Sequence, residues 1–435
     1  MVEQPLLWLA GSFFAMLGLI FAQVPIGIAM AIVGVTGTAM IIGIGPALSL
    51  LAVEPAIAVN SADLATIPLF LLMGNFATGA GISADIFRMA QGYLGHWRGG
   101  MAMATIAGCA GYGAICGSSS ATTAAMGRIA LPEMESRSYS PGLAAAVIAT
   151  GGGLGILIPP SIIMVLYAVL TEQFVQDMFV AAILPGLMAT ALYMMAVRLV
   201  VSRHPEAGPA APRASWAERW RLTLQAWRAA VTILLVIVGI YAGVFTVLEA
   251  AAVGAAITGL FWLFSANRGL RQLRAIFVDT AALTGMILMM VIGAATMGYL
   301  LTLTNAPVEI VDAVRTMGLA PSVVIILLLG MYILLGMIFD SIAAMVLTLP
   351  FVFPLVISLG YDPVWWGILN VMIIEIALIT PPVGMNVFIL HAIAPHVRLG
   401  EIFRNIMPFV AASIVWLALM LAFPVIALWL PTTLH

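Results

Sequence analysis

The chain has 435 residues, 63% of them hydrophobic, with a mean hydropathy of +1.16 and only 8% charged, against roughly 25% charged in an average soluble domain. That composition excludes an ordinary soluble globule and describes a polytopic membrane protein, since apolar stretches repeatedly exceed the ~20 residues needed to cross a bilayer. All 16 basic residues are arginine, and against 18 acids they leave a net charge of −2, so no basic surface exists for nucleic acid and no lysine amine for Schiff-base chemistry.

In chain order, the MVEQP start has no basic n-region and no small-residue cleavage site ahead, so the first apolar run reads as a retained span. Apolar runs predict spans at 6–23, 24–44, 66–80, 141–171, 178–198, 229–245, 247–266, 276–304, 364–395 and 408–430. Cys109 and Cys116 lie inside one apolar run and read as reduced packing thiols. Two stretches, 100–135 and 321–358, have polar centres, Gly117-Ser118-Ser119-Ser120 and Asp340-Ser341. They read as re-entrant hairpins with tips at membrane depth, where irregular backbone survives only inside protein or beside a watery cavity. Residues 204–221, rich in Pro, Ala and Arg with Trp216 and Trp220, suit a linker and an interfacial helix.

Sliding the sequence by 222 residues (381 − 159) aligns Pro159-Pro160 with Pro381-Pro382, Pro141 with Pro363, Pro132 with Pro354, Ser119 with Ser341 and Gly108 with Gly330, without a gap. The chain therefore repeats an order of arm helix, hairpin, proline-broken span and closing span. If the arginine-rich 198–228 loop is cytoplasmic, counting spans places 14 of the 16 arginines inside, with Arg315 outside and Arg128 within the first hairpin. On that count the first hairpin enters from the cytoplasm and the second from outside. Such an inverted repeat marks many secondary transporters.

The strongest constellation is the pair of broken spans, Gly151-Gly152-Gly153-Leu154-Gly155 through Pro159-Pro160-Ser161, and Ile379-Thr380-Pro381-Pro382-Val383-Gly384-Met385-Asn386. Tandem prolines remove two donors and open the helix, freeing carbonyl oxygens, while glycines admit a neighbouring backbone. Such oxygens with nearby hydroxyls suit a hard monovalent cation such as Na⁺. The alternative is a pair of kinks used only for packing. Each kink follows its hairpin tip by the same 40 residues (159 − 119 and 381 − 341), which favours a shared function. Ser118, Ser119, Ser120, Thr122 and Thr123 put hydroxyls at a tip and either bind or merely cap the following helix. Of the intramembrane acids, Asp340 sits at a tip, Glu375 could pair locally, and Glu249 reads as a helix-start acid; Arg128 reads as snorkelling to the surface. His391 and His396 have no third ligand at metal spacing. No G-x-x-x-x-G-K-[ST] loop is present, so the chain itself does not hydrolyse ATP.

Pro68-Leu69-Phe70-Leu71-Leu72-Met73-Gly74, Gly117-Ser118-Ser119-Ser120-Ala121-Thr122, Leu131-Pro132-Glu133-Met134, Gly155 to Ser161 and Leu378 to Gly384 together resemble the large membrane subunit of tripartite ATP-independent periplasmic (TRAP) transporters, nearly end to end. The resemblance implies an elevator-type secondary transporter in the bacterial inner membrane, driven by a Na⁺ gradient. It also implies two partners, a periplasmic substrate-binding protein and a small four-span membrane subunit, and a small carboxylate as cargo. It places one Na⁺ site on Ser118, Ser119, Ser120, Gly152, Gly155 and Pro159. The other falls on Asp340, Ser341, Thr380, Pro381 and Gly384, with substrate expected at Ser119, Ser120, Asp340 and Asn386. One departure stands out: the family's Pro-Thr-Glu-Ala-Ala reads Val247-Leu248-Glu249-Ala250-Ala251 here.

The expected organisation is thus an all-α polytopic protein. Residues 1–65 form N-terminal scaffold helices, 66–198 the first repeat, 199–275 a cytoplasmic linker with scaffold helices, and 276–435 the second, inverted repeat. The expected activity is Na⁺-driven import of a small organic acid. The rivals are a stand-alone Na⁺- or H⁺-coupled anion transporter, which would need no binding protein, and an intramembrane enzyme using Asp340 and Glu375 as an acid pair.

Overall fold

The computed structural model describes residues 5–266 and 268–434, and every regular element among them is helical. Three helices, Pro5–Phe21, Ile26–Ile42 and Ile44–Asn60, lead into Ala62–Gly79 and the short amphipathic arm Ile82–Leu94. The first hairpin is Gly100–Cys116 with Ser119–Ser136, and the first broken span is Pro141–Leu157 with Ile162–Leu170, bent by 42°. The first closing span, Val175–Arg203, follows. After a linker, Trp216–Gln225, Trp227–Tyr241 and Val247–Leu263 lead to the long helix Leu270–Thr304 and the arm Ala306–Thr316. The second hairpin (Pro321–Gly336, Ser341–Ser358), the second broken span (Pro363–Ala377, Met385–Ile393), the closing span Leu399–Ala422 and Val425–Leu434 complete the chain.

The 222-residue offset is visible in the helix ends. Ser119–Ser136 and Ser341–Ser358 begin and end at equivalent positions, as do the starts Pro141 and Pro363, and both Pro159-Pro160 and Pro381-Pro382 are cis. Proline at the first position of Pro141–Leu157 and Pro363–Ala377 sacrifices a donor that a helix start leaves unpaired anyway.

Side-chain contacts fix the directions of the broken spans. Tyr167, near the end of the first, donates from its hydroxyl to the carbonyl of Pro363, which starts the second (2.7 Å). His396, just past the end of the second, meets Glu135, just before the start of the first (2.7 Å). The two spans therefore run antiparallel. The arginine-bearing ends share a face as well. Arg228 pairs with Asp85 (2.5 Å) and donates to the Ala80 carbonyl (3.0 Å), while Tyr139 donates to the Pro209 carbonyl (3.0 Å) and Gly99 N–H to that of Gly208 (2.9 Å). The linker thus crosses the membrane-surface ends of the first hairpin.

Three elements differ from the apolar runs. Ile44–Asn60 is a helix where the sequence suggested a connection, because Gly43 at φ 96° resets the chain and Pro55 is tolerated within the new helix. Leu270–Thr304 has 35 residues, about 52 Å at 1.5 Å each, so its Arg271 and Arg274 end extends past the hydrocarbon. The last run divides into Leu399–Ala422 and Val425–Leu434 at Phe423-Pro424.

The N-terminal part packs by close backbone approach. A Cβ at Gly27 would lie 2.5 Å from the Met289 carbonyl oxygen, and one at Gly34 2.6 Å from the Thr296 carbonyl carbon. Small residues at such crossings let helices gain van der Waals contact where lipid offers no hydrophobic drive.

Candidate functional site

The first hairpin tip forms because Gly117, at φ 65°, ends one helix and Ser118 begins the next, its Oγ accepting from Ala121 N–H (3.4 Å). The Gly117 carbonyl accepts from Ile162 N–H (3.3 Å), so the tip is hydrogen-bonded to the restart of the broken span. Opposite it the span opens at Ile158, whose ψ of 121° is extended, and Ser161 Oγ reaches back to the Ile156 carbonyl (2.5 Å). Glycines make this seat possible. A Cβ on Gly155 would stand 2.5 Å from Thr122 Oγ1 and 2.8 Å from the Ser118 carbonyl, and one on Gly152 would collide with Thr123 Oγ1.

Thr122, Thr123 and, on the broken span, Thr150 are wholly buried, and among the described residues the Oγ1 atoms of Thr123 and Thr150 have no hydrogen-bond partner, while that of Thr122 has only the Cys116 thiol beside it. An orphaned buried hydroxyl costs about 1–3 kcal/mol. Hydroxyl oxygens beside the end of an opened helix are the donor set a hard cation takes. Ser119 is buried and Ser120, one residue on, is exposed.

The second tip is built alike, with Asp340 as helix cap accepting from Ala343 N–H (2.9 Å). The second break, however, coils upon itself. Thr380 Oγ1 donates to the Ile376 carbonyl (2.6 Å), Asn386 N–H to that of Leu378 (3.2 Å), and Gly384 turns at φ 61°. Pro381 and Pro382 are exposed, and among the described residues no hydrogen bond joins Asp340 or Ser341 to Thr380–Gly384. The structure therefore brings the first tip onto the broken span, Ser118 beside Gly155, Thr123 beside Gly152 and Gly117 beside Pro160, while among the described residues no hydrogen bond joins the members of the second set across tip and break.

The two tips line one small cavity. A cavity of ≈ 50 Å³ is lined by Ser118 and Ser341 from the tips, Ile156 and Ile162 from the first break, and Leu71 and Leu283 from the two long helices outside the repeats' cores. A far larger cleft, ≈ 610 Å³, opens at the acid-bearing side, away from the arginine face. Glu54, Ser61 and Thr302 lie on one wall and Glu172 and Phe353 on the other.

Where the second broken span meets the two closing spans lies a polar cluster that the sequence barely signals. Glu375, fully buried, accepts from the Tyr193 hydroxyl (3.0 Å), which also meets Ser413 Oγ (2.8 Å). Glu375 stands 222 residues after Gly153 (375 − 153), and a Cβ on Gly153 would lie 2.5 Å from its Cγ. Equivalent positions of the two copies thus face each other, and the glycine of one gives the carboxylate of the other its room. Asn386, also fully buried, donates to the Ala149 carbonyl (3.1 Å) and so ties the second broken span to the first. Glu375 was noted as an acid in a span; Tyr193, Ser413 and the buried Asn370 were not, although each is a polar side chain in an apolar run.

The remaining candidates resolve locally. Glu249 completes a capping box, its carboxylate accepting from Thr246 N–H (2.8 Å) and hydroxyl (2.9 Å). Arg128 is exposed, and His391 Nδ1 meets the Val397 carbonyl (2.9 Å). Cys109 and Cys116 are free and buried.

Helical hairpins packed with antiparallel broken helices inside a bundle of long apolar helices define a class, the multi-pass all-helical membrane proteins. The family model described as "Tripartite ATP-independent periplasmic transporter, DctM component" matches residues 13–426, and the chain belongs to that family. It is 35% identical over 372 residues to a C4-dicarboxylate TRAP transporter large permease protein of Pseudomonas aeruginosa, covering 85% of this chain and 86% of that one. It is 29% identical over 418 residues to an ectoine TRAP transporter large permease protein of Halomonas elongata, covering 95% and 97%. Its fold is also that of the Alcanivorax borkumensis YdaH transporter, with a TM-score of 0.67 at 14% identity over 87% of this chain and 89% of that one. The protein is accordingly an integral inner-membrane transporter component and not an enzyme. Asp340 and Glu375, the acid pair an enzyme would have needed, engage separate partners.

Proposed function

We propose that the chain is the permease through which a small organic acid is imported by Na⁺ symport, with substrate handed over by a periplasmic binding protein and a small four-helix membrane subunit beside it. The observation that carries the reading is the first hairpin tip seated on the opened span, with the buried Thr122 hydroxyl beside Gly155 and the buried Thr123 hydroxyl, which lacks a hydrogen-bond partner among the described residues, beside Gly152. Ser118, the neighbouring threonines and the carbonyls of the Gly152–Pro159 stretch would hold one Na⁺. Asp340, Ser341 and the Thr380–Gly384 stretch would supply a second site when tip and break come together.

Several features support the rest of the reading. Dicarboxylates and ectoine, the cargoes named for the relatives, both carry carboxylates. The helix starts at Ser119 and Ser341 turn partial positive charge toward the cavity between the tips, which favours an anionic group there; Ser119, Ser120, Asp340 and Asn386 are the side chains proposed to receive it. The large cleft divides Ala62–Gly79's neighbours and the long helix from the first broken span and second hairpin, the boundary along which a block of hairpins and broken spans would slide past a scaffold. Relatives in which both membrane subunits form one chain, such as the isethionate permease protein DctMQ of Oleidesulfovibrio alaskensis, favour a small-subunit partner.

The test is uptake into proteoliposomes holding both membrane subunits, with the cognate binding protein outside. Uptake is expected only with an inward Na⁺ gradient and loaded binding protein. Equal uptake with K⁺ replacing Na⁺ would refute the coupling, and uptake without the binding protein would favour a stand-alone carrier.

A further inference from the structure

The two closing spans form a groove that the transport reading does not use. Val175–Arg203 and Leu399–Ala422 border a cavity of ≈ 530 Å³, lined by Arg203, Leu199 and Leu192 from the first helix and Arg404, Pro408 and Val415 from the second. Val175–Arg203 starts where the first broken span ends, beside Pro363, and Leu399–Ala422 starts where the second ends, beside Glu135, so the two helices run antiparallel with Arg203 and Arg404 at one end. From Arg203 to Leu192 and from Arg404 to Val415 is 11 residues on each wall, about 16 Å at 1.5 Å per residue. That is half of a ~30 Å hydrocarbon core, the depth of one leaflet.

The groove is graded in polarity. Its mouth holds Arg203, Arg404, His204 and Asn405, at the same end as the arginine-bearing loops. Below the mouth the lining is wholly apolar, with Leu199 and Val415 exposed and a floor of small side chains, Ala196 and Ala412. Among the described residues neither Arg203 nor Arg404 forms an ion pair with a carboxylate; Glu206 at the mouth pairs instead with His204 (3.6 Å). Two guanidinium groups without a carboxylate partner among the described residues match a phosphate in charge, and an apolar trough one leaflet deep matches an acyl chain.

We infer that this groove is a binding site for one anionic phospholipid of the cytoplasmic leaflet, phosphate at Arg203 and Arg404 and acyl chain between the closing spans. The site lies on the outer face of the helices that close each repeat. A lipid there would sit beside the place where Tyr193 and Ser413 already join the two closing spans (2.8 Å).

The test uses the full chain with its small membrane subunit, delipidated in mild detergent and given dioleoylphosphatidylglycerol, dioleoylphosphatidylcholine or inorganic phosphate. Bound lipid is counted by native mass spectrometry. One phosphatidylglycerol per chain is expected, held well above phosphatidylcholine, with no displacement by phosphate. Arg203→Gln/Arg404→Gln should lower retention by roughly thirtyfold, the combined effect of two arginines near a headgroup. Arg203→Lys/Arg404→Lys should keep most of it, and Ala412→Trp should block it with the charges intact. Equal retention of the two lipids, wild-type retention by the Gln variant, or displacement by phosphate would overturn the inference. Na⁺-driven uptake is a separate readout, so failure here leaves the transport reading standing.

Discussion

Gly155→Ala is the sharpest probe of the seat between the first tip and the first break. Its methyl group would stand 2.5 Å from Thr122 Oγ1 and 2.8 Å from the Ser118 carbonyl, against the 3.4 Å at which ordinary contact begins. The tip must therefore withdraw by about 0.6 to 0.9 Å (3.4 − 2.8 and 3.4 − 2.5). Thr122 is fully buried and cannot swing away, and its N–H is bonded to the Ser118 carbonyl (3.1 Å), so the two neighbours move together. Overpacking of this kind costs about 1–3 kcal/mol. At 1.36 kcal/mol per decade that is about 5- to 150-fold in any equilibrium requiring the closed tip. The assay is the Na⁺ dependence of uptake in proteoliposomes, where the half-saturating Na⁺ concentration is expected to rise at least about fivefold. Gly18→Ala, where nothing lies within 4 Å of the new methyl, is the control and should leave it unchanged. Gly155→Ala protein that is folded, incorporated normally and unaltered in its Na⁺ dependence would show that the seat has no part in coupling.

Thr123→Val removes a buried hydroxyl that has no hydrogen-bond partner among the described residues, so in K⁺ medium the thermal midpoint should rise, while the stabilisation by added Na⁺ should disappear; a variant still stabilised by Na⁺ would remove Thr123 from the ion site. Asp340→Asn keeps the helix cap and loses the charge, whereas Asp340→Ala loses both at about 1 kcal/mol for the cap. Both should lose Na⁺-driven uptake with only the alanine variant less stable, and full uptake by the asparagine variant would reduce Asp340 to a cap. Tyr193→Phe leaves the buried Glu375 carboxyl without its donor and should lower stability by about 1–3 kcal/mol in thermal unfolding. An unchanged midpoint would mean that the cluster carries no strength.

What the sequence makes legible follows from how punctuation differs from packing. Proline and glycine act through their own backbone, so the 222-residue offset, both tips and both breaks could be read before any contact was known, down to the shared boundaries Ser119–Ser136 and Ser341–Ser358. Span ends were less legible where apolar residues continue through a break, as at Gly43 and at Phe423-Pro424, because hydropathy reports the solvent and not the chain direction.

Contacts between the copies were not legible at all, and here the structure adds the asymmetry that matters. Gly153 and Glu375 are equivalent by register yet unlike in chemistry, and they meet: one copy supplies space and the other a carboxylate. The same inequality separates the tips. In the first copy Gly152 and Gly155 let threonine hydroxyls approach the opened helix. At the equivalent positions, 152 + 222 and 155 + 222, the second copy has Ile374 and Ala377, whose side chains fill that space. Gly336, on the second hairpin, correspondingly has the Ala377 methyl where its own Cβ would stand, at 2.6 Å. A repeat conserved in its breaks but not in the residues beside them cannot form two identical seats. The first seat is made by the chain fold alone, whereas the second break stays exposed at Pro381 and Pro382.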